Sequence, residues 1–273
     1  MTATDGSEFD AIADEYDRVR PSYPDALVDA ACDRARLLPG ACVLEIGCGT
    51  GLLTEMLVAR GLRVEAVDPG PSMVDAARRR VGDADVRFHL GRFEDVDLPR
   101  ESFAAAFSGT AFHWVDPSVG WAKVAGLLAP AGVLALLQAG LPVLVRDFDR
   151  AVWRNALPPE EVWPVADPFD VWSGADARRG DVTALWSWLA RYDLQNREAA
   201  GLFDDARMLT VPVPVEDTAE SYLALIATTS TYLRLDPARR ASLAETVHEV
   251  FAAAGGTNRW VDCATLVTAR RRP

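Results

Sequence analysis

The sequence predicts an α/β protein built on a mostly parallel sheet, and three observations carry that prediction. Strand-like and helix-like segments alternate from about residue 41 to Gln138, the pattern that right-handed β-α-β crossovers produce. The apolar run Val43-Leu-Glu-Ile46 opens directly into Gly47-Cys-Gly-Thr-Gly51 and then a helical stretch. A glycine turn at the C-terminal end of a strand is where open α/β sheets bind ligands, because backbone without a Cβ can approach them closely. The following strand, Arg63-Val-Glu-Ala-Val67, ends in Asp68, an acid placed to accept two hydrogen bonds from a ribose diol. Together these residues describe a nucleoside-binding half-site.

The elements follow in order. Residues 1–39 read as two helical pieces separated by Arg20-Pro-Ser-Tyr-Pro24, and Leu38-Pro-Gly40 ends the second. After the glycine turn come a helix over Leu52 to Arg60, the strand ending in Asp68, and strands over Val86 to Leu90, Phe103 to Ser108 and Val133 to Leu137. The pattern changes after Leu141-Pro142: residues 143–194 hold Trp153, Trp163, Trp172, Trp186 and Trp188, five of the chain's eight tryptophans. Such a concentration of rigid apolar rings suits either a helical cap packed on the sheet or the walls of an acceptor pocket. Alternation resumes with a strand over Arg207 to Val215, helices over Ala219 to Ala227 and Pro237 to Ala254, and a closing strand over Val261 to Thr268. The expected organisation is an entry segment (1–39), a ligand-binding core (40–140), a cap insertion (141–200) and a C-terminal completion of the core sheet (201–273).

Composition narrows the function classes. A net charge of −12 argues against nucleic acid as substrate, since a phosphate backbone must meet a positive surface. The polar, acidic stretch Met1 to Asp10 does not read as a signal peptide, and no apolar run reaches the ~18 residues that suggest a membrane span. Cys32, Cys42, Cys48 and Cys263 form no C-x-x-C pair, and His89, His113 and His248 lack ligand spacing, so no metal site is expected. The expectation is a cytoplasmic monomer or homodimer acting on a small molecule, with no nucleic-acid or membrane partner.

The spacing of the glycine turn decides which nucleoside. A dinucleotide fingerprint is G-x-G-x-x-G, whereas this turn is G-x-G-x-G with Leu52 where the third glycine would fall. Glu45, two residues before the first glycine, would repel a pyrophosphate and suits a ligand carrying an ammonium or sulfonium. Glu45-Ile-Gly-Cys-Gly-Thr-Gly51 resembles motif I of the class I S-adenosylmethionine-dependent methyltransferases. The resemblance extends over most of the chain: Val64-Glu-Ala-Val-Asp-Pro-Gly-Pro-Ser-Met73 is similar to the second motif and Gly91-Arg-Phe-Glu-Asp95 to the third. Ala129-Pro-Ala-Gly132 leading into Val133 resembles the turn before the fifth strand, and Phe9 to Pro24 the entry segment of small-molecule methyltransferases. One departure is Arg92, where the third motif commonly has Asp.

The resemblance implies a Rossmann-like three-layer sandwich with a seven-stranded sheet whose last strand inserts antiparallel. It implies methyl transfer from S-adenosyl-L-methionine, leaving S-adenosyl-L-homocysteine, with a metabolite such as a natural product as acceptor. Glu45 would lie near the methionine amino end, with Gly47, Cys48 and Gly49 beneath it and Asp68 on the ribose. Pro69, Met73, Arg92, Phe93 and Glu94 would surround the adenine, Ser108 would end the fourth strand at the cofactor, and Tyr16 and Arg20 would close over it. His113 is the candidate general base, and Tyr23 and Trp114 would wall the acceptor. Two rivals remain open at this point: cofactor-assisted cyclisation on the same fold and a noncatalytic cofactor-binding protein.

Overall fold

The computed structural model describes residues 7–139, 152, 153, 199 and 201–273. Most of the expected cap insertion, 141–200, lies outside them, as do Trp163, Trp172, Trp186 and Trp188. The described residues form a seven-stranded sheet in the order β3-β2-β1-β4-β5-β7-β6. Its strands are β1 (Cys42–Ile46), β2 (Arg63–Asp68), β3 (Val86–Leu90), β4 (Phe103–Gly109), β5 (Leu128–Gln138), β6 (Phe203–Thr218) and β7 (Thr257–Arg271). β1 to β5 are mutually parallel, and β7 runs antiparallel to both β5 and β6. The expected mostly parallel sheet with an inserted antiparallel last strand is therefore what the chain forms.

Side chains alternate across the sheet and fill two cores, as period-2 geometry requires of strands buried on both faces. Leu44 and Ile46 join one core with Phe103, Leu134 and Trp121 of helix α5 (Pro117–Leu127). Val43, Val64 and Phe107 join the other with Leu27 and Ala31 of α2 (Asp25–Ala35) and Leu53 and Leu57 of α3 (Leu52–Ala59). Helix α4 (Pro71–Val81) packs beside α3 and against β2 and β3. The crossovers thus cover both faces, and every parallel strand delivers its C-terminal end to one edge.

Local chemistry explains most helix starts. Asp116 caps α5, accepting from the Ser118 N–H, with Pro117 in the first turn. Three further helices lie between β6 and β7, among them α6 (Ala219–Ile226), opened by a Thr218/Ser221 capping box, and the long α8 (Pro237–Ala253), capped by Asp236. The short α7 (Ser230–Leu233) sits between them. Tyr222, Ile226, Leu243, Val247 and Phe251 of α6 and α8 bury Val152 and Trp153 in a third, smaller core. Trp153 accordingly packs against helices that follow β6 in sequence.

Three strands run longer than expected, β6 among them at Phe203–Thr218 instead of Arg207 to Val215. β5 starts at Leu128 instead of Val133, because Leu128 pairs with Phe103 before an irregularity in the ladder. β7 spans Thr257–Arg271, well beyond Val261 to Thr268, because its polar ends continue the ladder with β6 outside the core.

Candidate active site

The glycine turn leaves β1 with the Gly47 and Cys48 N–H groups both donating to Val67 O, at 2.8 and 3.1 Å. β1 and β2 are thereby stitched together one residue before Asp68. The three glycines do different work. A Cβ on Gly47 would stand 2.3 Å from Ala111 Cβ, and one on Gly51 would stand 3.0 Å from Ala77 in α4. Both are glycines because protein atoms fill the space. Gly49, at φ +52, faces nothing within 4 Å, so it alone opens the turn toward a ligand.

Asp68 stands beside that opening. Its Oδ2 accepts from Gly49 N–H at 2.8 Å and its Oδ1 from Gly70 N–H at 2.9 Å. Burial raises its pKa and the Asp10 carboxylate adds to the rise, while the two backbone donors oppose it. Each carboxylate oxygen keeps a lone pair for further donors, as a ribose diol requires.

Glu45 is 1% exposed and points toward α3, where its Oε2 accepts from Thr54 Oγ1 at 2.7 Å. Burial pushes its carboxyl up to about 8, with Thr54 opposing and Asp68 reinforcing the shift. It is a buried acid beneath the turn, not an open acceptor in the cleft. Cys48 is buried, which raises its thiol pKa well above the ordinary range. Ser108 is buried as well and donates to Ile46 O at 2.7 Å, so its hydroxyl holds β4 to β1.

The second-motif residues gather at the start of α4. Pro69 is half-buried and Met73 buried beside Gly70. Of the third-motif residues, Phe93 is a core side chain beneath the Lys123 ammonium. Glu94 accepts from Arg92 Nη2 at 3.0 Å and from the Asp116 N–H at 2.7 Å. Arg92 and Glu94 therefore pair with each other and tie this loop to the start of α5. The Arg92 pair lowers the Glu94 pKa against the effect of burial.

After β4 the chain takes Thr110 through φ +53, unusual for a β-branched residue. A 3-10 turn, Phe112–Trp114, follows. His113 is exposed on that turn with its ring 5.0 Å from that of Trp114.

Residues 7–24 cross this edge as a strap, made of the 3-10 helix Ser7–Ile12, α1 (Ala13–Val19) and an extended exit. The phenol of Tyr23 meets Thr110 Oγ1 at 3.1 Å, and burial raises its pKa. Arg20 lies over the Tyr16 ring and donates from Nη2 to Thr228 O at 2.6 Å and from Nε to Thr228 Oγ1 at 3.0 Å. Phe9 packs edge-on against both Tyr16 and Trp114. The structure thus brings Tyr16, Tyr23 and Trp114 together over the sheet edge and engages Arg20 with Thr228. Sequence reasoning missed Asp10, Thr110, Ala111 and Thr228, which act through contacts distant in the chain. Among the described residues no group of three or more His, Cys, Asp or Glu is arranged to hold a metal, and no helix is long and apolar enough to cross a membrane.

Comparison with known proteins meets this geometry directly. The methyltransferase-domain family model matches residues 44–136, from β1 through β5. Over residues 44–136 the chain is therefore similar to a methyltransferase domain. It is 41% identical over 169 residues to an uncharacterised methyltransferase of Mycobacterium tuberculosis, covering 59% of this chain and 65% of that one. It is 34% identical over 148 residues to the malonyl-[acyl-carrier protein] O-methyltransferase of Serratia marcescens, covering 51% and 57%. The chain therefore spans less than two thirds of the length of these curated relatives. The YcgJ protein of Bacillus subtilis shares the fold of the methyltransferase domain, with a TM-score of 0.53 at 17% identity over 91% of this chain and 99% of that one. A phosphoethanolamine N-methyltransferase of Haemonchus contortus, solved with phosphomonomethylethanolamine and S-adenosylhomocysteine, does so with a TM-score of 0.53 at 14% identity, covering 97% of this chain and 58% of that one.

Proposed function

We propose that this protein transfers the methyl group of S-adenosyl-L-methionine to a small-molecule acceptor by direct in-line displacement, releasing S-adenosyl-L-homocysteine. The observation that carries the reading is the opening at Gly49 beside the Asp68 carboxylate. The open space at Gly49 fits a nucleoside laid along the turn. When bound, the cofactor supplies an electrophilic methyl carbon on a positively charged sulfur.

The chain's own residues then position and shield. Asp68 takes the ribose hydroxyls. Gly47, Cys48 and Gly49 form the floor, with the buried Glu45 carboxyl below it toward the methionine end. Pro69, Met73 and Phe93 border the adenine, with the Arg92–Glu94 pair at its rim, and Ser108 keeps β4 against β1. Tyr16 and Arg20 roof the site, and Tyr23 and Trp114 wall the acceptor side. His113 accepts the proton that an acceptor hydroxyl or amine gives up as it attacks. Alignment supplies most of the rate, since holding two reactants in line is worth ~7–11 kcal/mol.

The organisation that goes with this reading is an entry segment over 1–39, the cofactor core over 40–140, a cap from 141–200 and sheet completion over 201–273. The acceptor belongs to small-molecule metabolism such as natural-product assembly. We place the protein in the cytoplasm as a monomer or homodimer, in keeping with the free thiols of Cys32, Cys42 and Cys48.

Calorimetric titration of S-adenosylhomocysteine into the wild type and Asp68→Ala tests the cofactor assignment. Saturable binding that weakens in the variant is expected. Folded, ligand-free protein that takes up no S-adenosylhomocysteine would overturn it.

A further inference from the structure

Helix α4 begins without a cap of its own. Its N-cap is Gly70, which has no side chain, and Pro71 follows. The free N–H groups of the first turn are satisfied instead by Asp10, more than sixty residues earlier. Asp10 Oδ1 accepts from Ser72 N–H at 2.7 Å and from Met73 N–H at 3.2 Å, and Oδ2 accepts from Ser72 Oγ at 3.1 Å. A carboxylate on two orphan amides at the positive end of a helix is a favourable contact. It also lands next to Asp68: a Cβ on Gly70 would be 2.9 Å from Asp10 Oδ1 and 3.2 Å from Asp68 Oδ1. The strap's acid and the acid at the end of β2 flank one residue.

We propose that Asp10 is a latch that couples closure of the strap to occupation of the cleft at Gly49 and Asp68, so that cofactor binding and strap closure stabilise each other. This rests on the assignment of Asp68 to a ribose. Two carboxylates converging on Gly70 repel each other, and a diol that donates to Asp68 relieves that repulsion. Ligand therefore favours the latched strap, and by linkage the latched strap favours ligand to the same degree.

The rest of the strap is made to be released. Ala13 is the one fully buried side chain within α1, so little apolar surface holds it down. Its remaining fastenings are polar pairs, the Phe9 ring contacts with Tyr16 and Trp114, and Tyr23 at the edge of a core. Asp17 pairs at 2.6 Å with Arg80, which also donates to Thr50 O in the glycine turn, and Arg20 reaches Thr228 and Tyr23 reaches Thr110. These contacts end on the last turn of α4, on the turn between α6 and α7, and on the residue after β4.

The test uses the full chain, with hydrogen exchange of residues 7–24 followed with and without S-adenosylhomocysteine, and the affinity and dissociation rate of that ligand measured in wild type, Asp10→Ala and Asp10→Asn. Ligand should slow exchange across the strap in the wild type. Asp10→Ala should weaken binding about tenfold, the size of a lost cap, chiefly through faster dissociation. Asp10→Asn, which keeps an acceptor for the helix, should recover part of the loss. Wild-type binding that leaves strap exchange unchanged, or equal affinity in Asp10→Ala, would overturn the latch and leave the cofactor assignment standing. No wild-type binding would overturn both.

Discussion

Between Cys42 and Asp68 the chain is fastened by backbone hydrogen bonds and by apolar side chains closed off from water. Between Ser7 and Tyr23 it is fastened by carboxylate and guanidinium contacts, by the Phe9 ring against Tyr16 and Trp114, and by Tyr23 packed at the edge of a core. The two regions share a cleft and differ in what it takes to move them. The turn can open only by disrupting the sheet, whereas the strap can lift by exchanging polar contacts for water, each with a net value of about 1 kcal/mol or less, and by releasing the few ring contacts of Phe9, Tyr16 and Tyr23. A site that holds one geometry and still admits and releases a ligand, as the proposed function requires, needs both kinds of construction.

Substitutions can break this contrast, and the largest effect is expected at Asp68. Asp68→Ala removes the acceptor proposed for the ribose, at about 1.5–3 kcal/mol for a charged hydrogen bond, so S-adenosylhomocysteine affinity should fall at least tenfold in calorimetry. Comparable affinity in the variant would move the binding site elsewhere. Gly47→Ala and Gly49→Ala then separate packing from ligand access. The first drives a methyl into Ala111 at φ +72 and should lower stability by ~2–4 kcal/mol in urea unfolding. The second adds only the left-handed backbone cost, about 1–2 kcal/mol, yet should abolish ligand binding. Equal stabilities would show that the turn is less rigid than its contacts suggest.

Glu45 sharpens the comparison through pH. Its carboxyl is raised from an ordinary 4.5 to about 8, so across that window the folded chain holds a proton that the unfolded chain has released. Stability of the ligand-free protein should therefore fall as pH rises through the window, by up to about 1.4 kcal/mol per unit. Glu45→Gln, which can still accept from Thr54, should flatten that slope in denaturant titrations at stepped pH. An unchanged slope would assign it to another group. The smallest effect is expected from Tyr23→Phe. Losing the bond to Thr110 should cost about 1 kcal/mol and show as faster hydrogen exchange in the strap with little change in melting temperature.

The same contrast explains what could be read from sequence. The glycine turn, Asp68 and the alternating strands were legible because each is a local pattern: Val43, Leu44 and Ile46 announce a strand buried on both faces without knowledge of any partner. The antiparallel last strand was legible through family resemblance. The occupant of the space at Gly47 was not, since Ala111 arrives from the far side of β4. The strap's partners at Ser72, Arg80, Thr110 and Thr228 were hidden for the same reason, as was the burial of Trp153 among helices that follow β6. A partial signal existed for Asp10. A helix opening on Gly70-Pro71, with no Ser, Thr, Asp or Asn to cap it, has free amides that some distant acceptor must meet.

The antiparallel insertion of β7 also governs how the chain is made. The edge of β5 presents Val133 to Leu137, an apolar run with open backbone groups, until Thr257–Arg271 arrives to pair with it. Everything between Gln138 and Thr257 must leave the ribosome first. For that interval the nascent protein carries a bare, sticky strand edge of the kind that recruits neighbouring chains. The sheet closes only when β7 enters between β5 and β6, so a chain ending before Thr257 is expected to aggregate instead of folding into a smaller version of this sheet.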